Sequence, residues 1–576
     1  MAHQNEIVVR FAGEGGQGVV TAAEMLGRAA TAVGYHALTF ATFPSQILGG
    51  PTWTQARVSP REVLSPGDAV DILVAFNDYA YQEHREEVRE GGVILHDPSV
   101  HPDPGFGGVR NLPIPFDALA KKTGESRAAN MVVMGALSRL VNMPLDYFKT
   151  FVEQRWSGRE AVIKANHMAL DLGYEQAAEE APIAELGTPQ KPSYDQLFIK
   201  GNEALAIGAI HAGLDFYVGY PISPATPVLI YMERNLVGEG RFAYQVSSEI
   251  EAITAVLGAS FSGKKAMSAT SGPGFTLMSE GIGLAWMAEI PCVIVDVQRG
   301  GPATGLPTKT EQSDLLAALS PAHGDSRLPI IAPGTVEECF RAAVTAFNWA
   351  ERYQGPVILL SEHSLAERAQ NIERPDLNTV QVEDRVVYTG TNGYHRYEGW
   401  ELSPMPIPGG PGAYVANGSE HDGMGDTTHL GSRHIQMTER RFSKLKLLED
   451  TTYESHNPDA SVAIMTWGGS KGSAQEAHQL LEAEASTRGK LGWYYTMFLH
   501  PMPPALLEEL RQKELVLVPE LNYQGQFASV LRSLGIKAEA ITQYTGLPFK
   551  AGPLAQRIAE KIGRAGKQPT KAKVKA

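Results

Sequence analysis

Between Tyr220 and Thr308 the chain reads YPISP, SSEIEA, TSGPG and QRGGPATGLPT, turn-rich stretches separated by apolar runs of strand or helix length. Proline locks φ and glycine reaches backbone shapes closed to other residues, so such joints hold the chain in fixed conformations between regular elements. Strands that alternate with helices in this way build a parallel sheet whose loops gather at one edge. The spacing therefore predicts an α/β fold that brings polar groups from several loops to one place.

The rest of the chain repeats the theme. The front reads as a strand over Ile7–Ala12, a glycine loop over 13–18, an Ala-rich helix over Val19–Val33 and a strand over His36–Phe40. Buried parallel strands follow at Ile72–Phe76 and Gly92–Leu95, with a helix over Ala128–Val141. This first α/β domain is expected over 1–180, followed by an aperiodic, proline-containing linker over 181–194. A second domain over 195–374 opens with a helix Asp195–Ala212. Its strands are expected at Phe216–Gly219, Lys265–Ala269, Cys292–Val297 and Val357–Ser361. A long polar connector spans 375–457, a third α/β domain 458–562, and a basic tail 563–576.

Composition narrows the function. A formal charge of −14 disfavours nucleic acid as the main partner. Cys292 and Cys339 are the only cysteines and neither has the spacing of a zinc or iron–sulfur motif, so a redox metal, if the protein needs one, must reside on another chain. Glu289 and Pro291 interrupt the best apolar run, no secretory signal is evident, and a cytoplasmic address is expected.

Several residues have the chemistry of a site. Ser223 lies in the rigid YPISP turn, although a loop serine more often bonds its own backbone. Glu249 and Glu251 stand where a strand gives way to a helix, and each alone reads equally as a capping group. Arg299 ends a strand just before Gly300, Gly301 and Pro302, at the edge where α/β sheets bind ligands, and its fork suits a carboxylate. Thr304, Thr308 and Lys309 follow as further donors. Glu420-His421-Asp422 reads as a solvated loop, because three adjacent residues do not converge on one metal ion. The front loop matches GxGxxG, but the next strand lacks the acidic residue that a dinucleotide ribose requires. A nicotinamide or flavin oxidoreductase using Gly13–Gly18 is thus the rival enzyme class, and a decayed scaffold subunit a third possibility.

YPISP, SSEIEAI, ATSGPGF and QRGGPATGLPT together resemble the α chain of 2-oxoacid:ferredoxin oxidoreductases, and almost the whole chain joins in. RFAGEGGQGVVTAA is similar to the family's γ module, fused here at the front, while WGGSKG, PELNYQGQ and YTGLPF resemble its transketolase carboxyl-terminal-like domain. The resemblance implies a three-domain α/β protein: a γ-type domain, a thiamine diphosphate pyrimidine-binding domain with a parallel sheet, and the transketolase-like domain. It implies that Glu249 meets N1′ of the aminopyrimidine as the catalytic carboxylate, with Glu251 as the fallback. Tyr220, Pro221 and Ile222 join it in cofactor binding. Ser223, standing where the family commonly has threonine, together with Arg299 and Thr308, implies oxoacid binding. Gly15, Gly16, Gln17 and Gly18 become a candidate surface for coenzyme A. Magnesium, the diphosphate and a 4Fe-4S cluster are expected on a β subunit, in a dimer of αβ heterodimers that delivers electrons to ferredoxin. The implied reaction is coenzyme A-dependent oxidative decarboxylation of 2-oxoglutarate to succinyl-CoA and CO2, with pyruvate or a branched-chain 2-oxoacid as alternative substrates.

Overall fold

The computed structural model describes residues 5–44, 50–103, 106–183, 186–189, 194–391, 393–399, 402–449 and 452–565. The expected basic tail lies outside them from residue 566 onward, as do 184–185 and 190–193 of the expected linker. They form two compact units, Met1–Lys200 with Glu367–Pro375, and Gly201–Ala366 with Asp376–Ala576.

The first unit is built on an eight-stranded sheet in the order Arg110–Pro113, Val88–His96, Val70–Ala75, Ile7–Glu14, Pro51–Ser59, His36–Thr42, Ala369–Glu373, Gln196–Lys200. The first four strands run parallel, as their continuous apolar runs predict. Pro51–Ser59 then pairs antiparallel with both Ile7–Glu14 and His36–Thr42. Helix Val19–Val33 buries Ala22, Ala23, Met25 and Leu26 against this sheet.

The helix expected over Asp195–Ala212 is corrected. Gln196–Lys200 is a strand, and the helix begins only at Gly201 and ends at His211. The strand exists because Ala369–Glu373 pairs with it antiparallel, a partner that local periodicity cannot reveal.

The second unit holds two sheets. One has seven strands in the order Phe498–His500, Ile330–Ile331, Pro356–Glu362, Cys292–Gln298, Ala266–Thr270, Phe216–Gly219, Phe242–Gln245. All its pairings are parallel except that of Phe498–His500. The other has five strands, in the order Glu454–His456, Leu491–Tyr495, Val462–Thr466, Leu515–Glu520, Ala538–Thr542. The strand expected over Leu491–Phe498 is thus two strands in different sheets. The connector carries the helix Gly431–Ser443. Among the described residues no helix is long and apolar enough to cross a membrane.

Candidate active site

Parallel register puts the carboxyl ends of the central strands of the seven-stranded sheet on one edge. Gly219 leads there into Tyr220, Thr270 into Ser271, Gln298 into Arg299 and Glu362 into His363.

Glu249 is the first residue of helix Glu249–Phe261, which Ser248 caps by accepting from the Glu251 amide at 3.2 Å. The exposed Glu251 carboxylate turns back to accept from the Ser247 amide at 2.9 Å. That reciprocal pair is a capping box, and it occupies Glu251. Glu249 faces inward, 5% exposed, and among the described residues no group donates a hydrogen bond to its carboxylate. Its neighbours are Thr270 and Gly274. A Cβ added at Gly274 would stand 2.4 Å from Glu249 Oε1 and 2.2 Å from Thr270 Oγ1. The glycine of TSGPG therefore leaves the carboxylate room.

Tyr220 is 40% exposed, and Pro221 and Ile222 half-buried, in the turn that follows strand Phe216–Gly219. The exposed Ser223 meets Arg299 through its backbone: Arg299 Nη1 donates to the Ser223 carbonyl at 2.7 Å. Arg299 itself is 7% exposed, and its Nε is buried without an acceptor. The loop after it closes on itself, with the Gly300 amide donating to Lys309 O at 3.0 Å and Leu306 N to Gly300 O at 2.8 Å. Thr308 is half-buried inside this loop.

The transketolase-like motifs reach the same loop. Thr310 N donates to Gly546 O at 3.1 Å, in YTGLPF. Gln312 Nε2 donates to Trp467 O at 3.1 Å, at WGGSKG, and Gln312 Oε1 accepts from Leu521 N at 3.0 Å, in PELNYQGQ. Three motifs far apart in the chain thus fasten the segment that follows Arg299.

The electrostatics are unusual at several residues of this edge, of which Asp296, Asp314 and His363 carry no sequence signal. Burial, then the like charge of Asp314, pushes Asp296 well above the ordinary carboxyl range, against the pull of Arg299. Burial, then Glu311, raises Asp314. Lys309 is lowered by burial, and His363 is pushed down to about 4 by burial and then by Lys309. No motif marks Asp296, inside its strand, or Asp314, at the cap of helix Leu315–Leu319; a carboxylate in either place looks ordinary until its burial is known.

The front loop lies in the first unit. Gly13 is still inside strand Ile7–Glu14, so the turn proper is Gly15–Gly18. Gly18 is left-handed, with φ 79°, and a Cβ there would strike Asn130 Nδ2 at 2.4 Å, so only glycine fits. Gln17 Oε1 accepts from the Glu14 amide at 2.7 Å. Pro51–Ser59 intervenes between the first strand and His36–Thr42, which separates the two strands that a dinucleotide fold sets side by side. The nicotinamide or flavin reading loses its frame.

The expected solvated loop at Glu420-His421-Asp422 is also corrected in part: Asp422 is exposed, but Glu420 and His421 are not. His421 is fully buried, and Glu420 pairs with Arg441 at 2.9 Å and His434 at 2.6 Å. Charge pairing with a helix further along draws the segment inward. Among the described residues no group of three or more His, Cys, Asp or Glu could hold a metal ion.

Residues 8–176 match the family described as "Pyruvate ferredoxin/flavodoxin oxidoreductase", and residues 207–440 match "Pyruvate flavodoxin/ferredoxin oxidoreductase, thiamine diP-bdg". The chain is similar to the 2-oxoglutarate oxidoreductase subunit KorA of Mycobacterium tuberculosis, 30% identical across 97% of this chain and 90% of that one. It is 35% identical to the 2-oxoglutarate synthase subunit KorA of Methanocaldococcus jannaschii, across 60% of this chain and 93% of that one. Among solved structures it resembles the 2-oxoglutarate:ferredoxin oxidoreductase of Magnetococcus marinus, solved with 2-oxoglutarate, coenzyme A and succinyl-CoA bound. That likeness has a TM-score of 0.91 and 38% identity, and covers 97% of this chain and 100% of that one.

Proposed function

Because this chain belongs to the 2-oxoacid:ferredoxin oxidoreductase family, as an α subunit, we propose that it performs the coenzyme A-dependent oxidative decarboxylation of 2-oxoglutarate to succinyl-CoA and CO2, passing electrons to ferredoxin. The observation that carries this reading is the full-length likeness to the Magnetococcus marinus enzyme, at a TM-score of 0.91. The activity is that of a complex. A β subunit would bring the diphosphate site, its magnesium and the 4Fe-4S cluster, in a cytoplasmic dimer of αβ heterodimers.

The residues present fit the aminopyrimidine end of thiamine diphosphate. The Glu249 carboxylate is buried, has no protein donor, and faces the space that Gly274 leaves without a side chain. A carboxylate in that state has an acceptor site to give. Bound thiamine diphosphate supplies the carbon nucleophile and the electron sink that decarboxylation requires. Glu249 would form the hydrogen bond with N1′, and Tyr220, Pro221 and Ile222 would line the ring. Arg299 would hold the substrate carboxylate, supported by its nearly complete burial and a guanidinium edge with no acceptor. Ser223 and Thr308 would add polar contacts.

Coenzyme A would use the turn Gly15–Gly18, where the free amides of helix Val19–Val33 attract a phosphate. The helix's first turn carries no acidic residue to oppose one.

The test is to co-express the chain with a β-type partner and assay coenzyme A-dependent reduction of a low-potential dye. Turnover should be highest with 2-oxoglutarate and lower with pyruvate or branched-chain 2-oxoacids. Preference for pyruvate would overturn the substrate assignment, and no turnover with any 2-oxoacid would overturn the function.

A further inference from the structure

Close to the arginine read as the oxoacid anchor, the core holds a carboxyl group with no partner. Asp296, in strand Cys292–Gln298, is fully buried, and among the described residues neither of its oxygens meets a hydrogen-bond donor. Its register neighbour on one side is Thr270, whose hydroxyl shares with Glu249 the space beside Gly274; on the other side it aligns with Leu360. Asp314 lies against the TSGPG turn, where a Cβ added at Gly272 would stand 2.8 Å from its Oδ2. That oxygen is also buried and unpartnered. Arg299 is within electrostatic reach of both carboxyls, yet it spends Nη1 on the Ser223 carbonyl and leaves Nε without an acceptor.

Two ionised carboxylates facing one guanidinium would put a buried negative charge where an anionic substrate must arrive. A carboxylate without donors in a low-dielectric interior takes up a proton instead. The second carboxyl, within electrostatic reach, reinforces this, because two like charges in a low-dielectric interior cannot both ionise cheaply.

We propose that Asp296 and Asp314 are a positioning pair that shares one proton at neutral pH, so that the surroundings of Arg299 are neutral rather than negative when the substrate carboxylate binds. The proposal rests on the reading of Arg299 as the oxoacid anchor. The direction of both carboxyls, raised chiefly by burial, agrees with it. Other charged or titratable groups on the packed elements are Glu249, Glu311, Lys309, Glu362 and His363. Lys309 and His363 are both shifted toward their neutral forms. As pH rises and the shared proton leaves, the cluster turns negative and oxoacid binding weakens.

Infrared difference spectra of the purified complex, wild type minus Asp296→Asn, read the proton directly. A protonated-carboxyl band that shifts in D2O is expected in the wild type and absent from the variant. In parallel, KM for 2-oxoglutarate should rise toward alkaline pH in the wild type. Asp296→Asn, neutral at every pH, should lack that rise and end roughly tenfold lower, as expected for removing one nearby charge. Asp314→Asn removes the like charge, so both the loss of the band and the KM rise should move to lower pH. A wild type without the band, or an Asp296→Asn profile that rises like the wild type, overturns the proposal. Should Asp296→Asn fail to fold, as a melting curve will reveal, the direction of the Asp314→Asn shift decides. A complex that turns over no 2-oxoacid refutes the proposed function, while the band still decides the pair.

Discussion

Arg440 grips Glu289 with two hydrogen bonds, Nε to Oε1 at 2.9 Å and Nη2 to Oε2 at 3.1 Å, and both side chains are wholly buried. Lys444 Nζ lies 3.1 Å from the same carboxylate, and Arg396 Nη2 donates to the Glu289 carbonyl at 3.1 Å. One buried glutamate thus gathers three cations of the connector, two on its carboxylate and one on its backbone carbonyl. Burial opposes its charge, but Lys444 and Arg440 outweigh that and hold the Glu289 carboxyl well below the ordinary range.

Glu289→Gln would leave those cations buried without a counter-charge, which costs about 3–5 kcal/mol. Urea unfolding should register the loss. By contrast Glu337→Gln, which breaks an exposed i,i+4 pair with Arg341, should cost less than about 0.5 kcal/mol. Equal costs for the two substitutions would refute the assignment of Glu289 as the anchor of the connector.

The two glutamates of SSEIEA should separate cleanly. Glu249→Gln removes the inward carboxylate and should abolish 2-oxoacid turnover in a complex that stays folded. Glu251→Gln keeps an acceptor for the Ser247 amide, so stability should fall by no more than about 1 kcal/mol and activity should persist. The measurement is dye reduction alongside thermal melts, and an active Glu249→Gln enzyme would remove that residue from its role.

Gly274→Ala forces a methyl group into the space between Glu249 and Thr270. Overpacking of this kind costs about 1–3 kcal/mol. Its larger effect should be on catalysis, because the Glu249 carboxylate must move; near-normal turnover would show that the gap has no function.

Acid should destabilise the second unit through two buried histidines. Burial pushes both His363 and His500 from 6.5 down to about 4, with Lys309 adding to the first and Arg327 to the second. Between those values the unfolded chain binds protons that the fold does not, so stability falls as pH falls through that window. Each contributes on the order of 3 kcal/mol. His500→Asn keeps a side-chain N–H to replace the 2.9 Å contact with the Leu328 carbonyl, and should make the decline shallower by the His500 contribution. Melting temperatures from neutral pH down to acid will measure it; an undiminished decline in the variant would exclude His500.

Local elements were legible in the sequence. The helix Val19–Val33 and the strand Phe216–Gly219 have the bounds that their periodicity and flanking residues predict, because both signals lie within a few residues. The turns at 220–224 and 300–308 were equally visible through their glycines and prolines, whereas 271–274, which reads as a turn, is the cap and first turn of helix Gly272–Leu277. What escaped is non-local. Gln196–Lys200 reads as the start of a helix until Ala369–Glu373 supplies its ladder partner. His421 reads as solvated until Tyr397 packs on its ring at 4.1 Å and Arg441 takes the neighbouring Glu420.

The candidate site divides along the same line. The chain's own sequence determined the residue types at the sheet edge and, through several motifs in one order, the family to which they belong. Only the tertiary structure decided that Glu249 faces inward while Glu251 closes its own helix cap, that Arg299 leans on the Ser223 carbonyl rather than its hydroxyl, and that Asp296 lies buried without a donor. The physical reason is that a side chain's charge and direction are set by whatever surrounds it. At this site the surroundings come from strands and loops that lie far apart along the chain.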